Sequence, residues 1–150
     1  MLAQFDWVGI SVHSRFKRHR DEMTARILRA MRRPLVNALN HPTGQPISRR
    51  PDYEVDLDAI LRLAASVGVA IEINSQPDRL DLNDVWARRA KELGCRLVIN
   101  SDAPSPGDFA NLRYGVAVAR RGWLSRENVL NTLPLAKVKA EARRKRAKAA

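Results

Sequence analysis

Six polar side chains stand where apolar runs of this sequence stop: His13, His41, Glu72, Asn74, Asn100 and Asp102. The run Leu97–Val98–Ile99, for example, breaks straight into Asn100, Ser101 and Asp102. Imidazole and carboxylate groups make poor core material but good ligands for a divalent cation such as Zn²⁺ or Mn²⁺. A cation held there would polarise a phosphoryl oxygen and lower the pKa of a bound water, giving a nucleophile near neutral pH. Each residue taken singly also has a structural role open to it. A histidine at a strand end can be a hydrogen-bonding surface group. Asp102 can cap the segment that follows, Glu72 can pair with an arginine, and Asn74 can brace a turn. His19, the third histidine, lies in a basic loop and reads as surface.

The elements that must position these residues alternate. Residues 5–12, 35–39, 69–73 and 96–99 are apolar runs of strand length. Residues 21–31 have helical spacing, with Met23, Ile27 and Met31 on one face, and Pro34 ends the pattern. Asp56 is placed to cap a helix over 57–67 that turns Leu57, Ile60, Leu61 and Ala64 inward, with Gly68 at its C-terminal cap. Asn83 or Asp81 caps the next helix, which stops at Gly94. Short helical pieces follow over 109–112, 116–121 and 126–131, separated by Gly115, Gly122 and Pro134. From Leu135 the chain is rich in Ala, Lys, Arg and Glu and is helix-prone. Four βα units with short connections predict an α/β fold with parallel strands. Continuous rather than alternating apolar strands predict a sheet covered on both faces or closed as a barrel. In such sheets the carboxyl ends of the strands open onto one face, where sites are built.

The chain has 150 residues, a single-domain length, and a formal net charge of +11. Residues 137–148 carry seven basic side chains against the single Glu141. Such a segment attracts nucleic acid through phosphate neutralisation, or is simply a solvated terminus. No apolar stretch reaches the roughly 20 residues that span a bilayer. The N-terminal residues lack a signal-peptide pattern and the lone Cys95 excludes an intramolecular disulfide, so a cytoplasmic location with no membrane partner is expected. Cys95 opens an apolar strand and reads as a small core residue.

The strings "VGISVHSRF", "NHPTG", "YEVDLDAIL", "IEINSQPDRLDLND", "RRAKELG", "VINSDA" and "LRYGVAVARRGWL", in this order, resemble the C-terminal half of a PHP (polymerase and histidinol phosphatase) domain. The PHP module of bacterial family-X DNA polymerases is the branch they most resemble, over about residues 5–135. The resemblance implies part of a distorted seven-stranded β/α barrel over residues 1–135, followed by a basic helical tail over 136–150. It implies a metal-dependent phosphoesterase, with 3′-5′ exonuclease and related DNA-end processing in the polymerase branch. Carried over by motif, His13, His41 and Asp102 are the metal ligands, and Glu72 and Asn74 shape the catalytic pocket. Arg15, Arg49, Arg50, Arg79 and Lys145 are the expected contacts to DNA.

Two departures bear on the site. The His-x-His motif of the family's N-terminal half has no counterpart here. A barrel without its first strands would expose a sheet edge, so a partner chain or self-association is expected to complete it. The last motif, usually Asp-Ala-His, reads Asp102-Ala103-Pro104. Proline offers a metal no lone pair, so an incomplete Mn²⁺ or Zn²⁺ site is expected, weak or inactive in isolation. The other outcomes are a catalytically dead module that binds DNA and a small-molecule phosphatase of the histidinol-phosphate type.

Overall fold

A computed structural model describes residues 2–44 and 53–147, with side chains through 145. Four strands, β1 (Gly9–Ile10), β2 (Ala38–Leu39), β3 (Ala70–Asn74) and β4 (Leu97–Asn100), form one parallel sheet in the order β1-β2-β3-β4. Each neighbouring pair is joined through a helix: α1 (Arg20–Met31), α2 (Leu57–Val67) and α3 (Asp84–Glu92). Beyond β4, α4 (Leu112–Arg121) and α5 (Leu135–Ala147) complete five α-helices among the described residues.

The helices begin and end where side chains satisfy their orphan backbone groups. Asp56 accepts from the Ala59 amide at the start of α2, and Gly68 closes that helix at φ 71°, a left-handed conformation that glycine adopts without steric cost. Asn83, not Asp81, caps α3, accepting from the Trp86 amide. Asp81 instead receives the amides of Thr43 and Gly44.

One face of the sheet carries Leu39, Ile71, Ile73, Leu97 and Ile99 into the main core. There they meet Met23, Ile27 and Met31 of α1 and Leu57, Ile60, Leu61 and Ala64 of α2. The other face carries Ala38, Ala70 and Val98 into a smaller cluster with Leu130. Both faces are therefore covered, as continuous apolar strands require. The period of two along a strand places Glu72, Asn74 and Asn100 on this second face, at its carboxyl end.

The structure revises two local expectations. The first two strands are only two residues long, because Val8 O takes the amides of both Asn37 and Ala38 and ends the regular ladder. Gly115 does not separate helices. It lies buried inside α4, where a Cβ would meet Ser75 Oγ and come within 2.7 Å of Ile99 Cγ2. Helix α4 thus packs directly on the ends of β3 and β4. The four strands among the described residues match the four βα units expected.

The terminal helix is docked. Ala142 is buried and its carbonyl accepts from Asn37 Nδ2 at 3.1 Å. Lys145 is buried as well, and its Nζ donates to Met31 O at 2.6 Å and Val36 O at 2.7 Å. The expected DNA contact at Lys145 is corrected by this placement: the ammonium serves carbonyls at the end of α1 and the entry to β2. The two strand edges differ. Asn131 brackets β4, accepting from Ile99 N and donating to Ile99 O, which blunts that edge. At β1, residues 8 and 10 bond to β2, so the backbone groups of Gly9 and Ser11 point to the open side.

Candidate metal centre

His13 follows β1 and His41 follows β2, and the parallel register brings their rings together. Their Nε2 atoms lie 3.3 Å apart, with ring centroids at 5.3 Å and planes inclined by 11°. Two nitrogens bound to one tetrahedral Zn²⁺ at about 2.0–2.1 Å would be separated by about 3.3 Å, so the pair has chelating spacing. Burial holds the His41 imidazole below its ordinary pKa, and the positive charge of Arg79 acts in the same sense. A neutral ring is the form that ligates a metal. His41 Nδ1 is buried with no hydrogen-bond partner.

Glu72 supports this pair from beneath. Its Oε2 accepts the His41 amide at 2.7 Å, and its Oε1 accepts from Asn100 Nδ2 at 2.8 Å. Burial raises the Glu72 pKa, while these hydrogen bonds oppose the rise. Asn74 Nδ2 reaches Glu72 Oε2 at 3.4 Å and Asp102 Oδ2 at 3.0 Å, linking strand-end carboxylate to loop carboxylate.

Asp102 stands two residues beyond β4, exposed, with its Oδ2 3.7 Å from Arg79 Nε. Gln76, which sequence reasoning passed over as loop, fixes this turn by donating to Ser101 O and Asp102 O. Its only sequence signal is its place in "NSQPD", just past β3. Asp102 does not cap the next segment; Ser105 and Asp108 form that capping box, with Pro106 in its first turn. The backbone is left-handed at Arg15, His41, Leu80 and Asp102 (φ 60°, 30°, 50° and 47°), all in loops at this end of the sheet. Non-glycine residues persist there only when their surroundings enforce it, and such strain gathers at functional sites.

The structure thus brings together His13, His41, Glu72, Asn74, Asp102 and Arg79 at one end of the sheet. Arg15 lies in the loop after His13, Lys145 is elsewhere in the fold, and Arg49 and Arg50 fall outside the described residues. The donor set meets the demands of a cation only in part. The two imidazoles are at chelating distance, Asp102 is engaged by Asn74 and Arg79, and among the described residues no group of three His, Cys, Asp or Glu converges.

No protein-family model matches the sequence. Among curated proteins, it is 38% identical to the DNA polymerase/3′-5′ exonuclease PolX of Bacillus subtilis, over 96% of this chain and 25% of that protein. It is 28% identical to a "probable phosphatase" of Thermoanaerobacter sp. (strain X514), over 99% of this chain and 61% of the relative. A "probable phosphatase" of Photobacterium profundum is also 28% identical, over 74% of this chain and 46% of the relative. The chain spans about a quarter of the polymerase and under two thirds of the phosphatases it matches. It is, along nearly its whole length, a homologue of a segment of that polymerase/exonuclease and of these phosphatases.

Proposed function

We propose that this chain is the C-terminal part of a PHP-type, metal-dependent phosphoesterase domain of the branch attached to family-X DNA polymerases. In this reading its chemistry is 3′-5′ exonucleolytic or related DNA-end hydrolysis. The facing Nε2 atoms of His13 and His41, 3.3 Å apart at the strand ends, carry the proposal; the higher identity to the polymerase/exonuclease favours its branch.

His13 and His41 would hold the cation, and Asp102 would add a carboxylate on release from Arg79. A bound Mn²⁺ or Zn²⁺ lowers the pKa of a coordinated water and draws charge from a phosphoryl oxygen. Glu72 fixes the His41 backbone, and Asn74 orients both Glu72 and Asp102. Arg79 and Arg15, together with Arg49 and Arg50, would meet the phosphodiester backbone. Asp102, as the third ligand, is already engaged, and Pro104 adds none. These two facts favour a second reading, a DNA-binding module in which hydrolysis is lost.

Metal content and nucleotide release separate the two. The purified chain is loaded with Mn²⁺ or Zn²⁺, its bound metal measured, and a 3′-labelled oligonucleotide supplied. Near-stoichiometric metal, with nucleotide release abolished in His41→Ala, supports the phosphoesterase. Absence of bound metal and of release, with DNA binding retained, supports the second reading and removes the first.

A further inference from the structure

Next to the loop that carries His13 lies a pocket of about 340 Å³ lined by Arg15, Arg18, Glu22, Ala25, Arg26 and Arg29. Four guanidinium groups face one carboxylate. Glu22 is within 3.2 Å of Arg18 Nη1, across an exposed pair, and so neutralises little. Arg15 and Arg29 have no carboxylate partner among the described residues. Arg18 Nε is buried with no acceptor, a donor whose burial costs free energy until an acceptor arrives. Arg26 donates to Ser14 O at 2.8 Å and Ser14 Oγ at 3.2 Å. Since Ser14 follows His13, this contact ties the arginine row to the loop that carries the first imidazole.

We propose that this pocket binds the phosphodiester backbone of a single nucleic-acid strand and leads it to the histidine pair. The inference rests on the nuclease reading given above. Geometry favours a polynucleotide over a small phosphate ester. Arg26 and Arg29 lie at i and i+3 on one face of α1, about 4.5 Å apart along the helix axis, and Arg15 and Arg18 lie in the loop before it. Four guanidinium groups spread over a loop and a helix can engage more than one phosphate of a strand, whereas a lone ester meets only some of them. Guanidinium is the suited group, because its planar fork takes two phosphate oxygens at once. The terminal segment is the competing basic surface, and it has turned Lys145 inward.

Equilibrium binding of a fluorescein-labelled oligothymidylate, by anisotropy in the absence of divalent metal, tests this without requiring hydrolysis. Arg18→Gln/Arg29→Gln is expected to weaken binding at least tenfold at 50 mM salt. It should also flatten the log–log salt slope by about 1.4, or about 0.7 per lost phosphate contact on a single strand. Arg18→Lys/Arg29→Lys, which keeps the charge but loses the fork, should bind between wild type and the Gln pair, and thymidine monophosphate should bind at least a hundredfold more weakly than the oligonucleotide. The proposal is overturned if the Gln pair costs no more than Lys137→Gln/Lys139→Gln on α5. It is equally overturned if the Lys pair falls as far as the Gln pair, or if the mononucleotide binds as well as the strand. Arginine-dependent binding without metal-dependent release would remove the nuclease reading and leave the pocket assigned. Release with arginine-independent binding would do the reverse.

Discussion

Glu72 shows how one buried carboxylate organises the site. It receives the His41 amide and the side-chain amides of Asn74 and Asn100 while it is 3% exposed. Glu72→Ala strands these donors, and an unsatisfied buried donor costs about 1–3 kcal/mol; a loss of about 2–4 kcal/mol is expected in urea unfolding. Glu72→Gln keeps an acceptor for the His41 amide, and Asn100 can turn its carbonyl to meet the new NH₂ group, so the cost should be much smaller. The pH dependence has a definite sign. A carboxyl whose folded pKa is raised by burial contributes stability present below its ordinary range and lost as pH rises through the raised value. The Gln variant, which does not titrate, should therefore gain on wild type as pH rises above about 4.5, the ordinary carboxyl value. A constant difference across that rise would show that Glu72 ionises in the fold as freely as in water.

At the scale of elements, what was legible followed from local chemistry. The limits of α2, its Asp56 cap and its Gly68 terminus are all written in adjacent residues, and so is the inward face Leu57, Ile60, Leu61 and Ala64. The ends of the last three strands were legible to within a residue, because an apolar run that meets Asn announces its own end, whereas the first strand, read to residue 12, ends at Ile10. Gly115 and Lys145 were not. A glycine in an apolar-periodic stretch looks like a helix break until Ser75 and Ile99 are seen against it, and a lysine in a basic run looks solvated until two distant carbonyls are found at its ammonium. Both depend on contacts far away in the chain. Gly115→Ala should lower stability by about 1–3 kcal/mol through overpacking, despite the better helix propensity of alanine; an unchanged urea midpoint would mean that α4 stands off the sheet. Lys145→Met should cost about 1–3 kcal/mol at pH 7 and speed hydrogen exchange along α5. Burial pushes the Lys145 ammonium down to about 8 from 10.5. A depressed lysine makes the fold gain stability as pH climbs between these values, so the deficit of the Met variant should widen from pH 8 to pH 10.

For the whole molecule, the two edges of the sheet are unlike. The β4 edge is blunted by Asn131, and the β1 edge presents Gly9 and Ser11 outward. The relatives extend well past the matched segment. No helix among the described residues is long and apolar enough to cross a membrane. If the imidazole pair takes a cation, folding and binding are linked: a ligand at 100 times its Kd adds about 2.7 kcal/mol. Millimolar Zn²⁺ is therefore expected to raise the thermal midpoint of wild type and to leave that of His13→Ala unmoved. An equal rise in both would place the cation elsewhere.

The docking of α5 has a consequence for how the molecule is made. The sheet grows in chain order, so each βα unit can settle beside its predecessor as it leaves the ribosome. Helix α5 is synthesised after them all, yet its partners, Met31, Val36 and Asn37, belong to the first unit. The earliest part of the structure therefore waits, with Asn37 Nδ2 and two carbonyls unmatched, until synthesis has passed residue 145. Ribosome-bound chains arrested short of that point should carry a loosely held β1–α1–β2 segment, open to protease, beside an already protected β3–β4 pair.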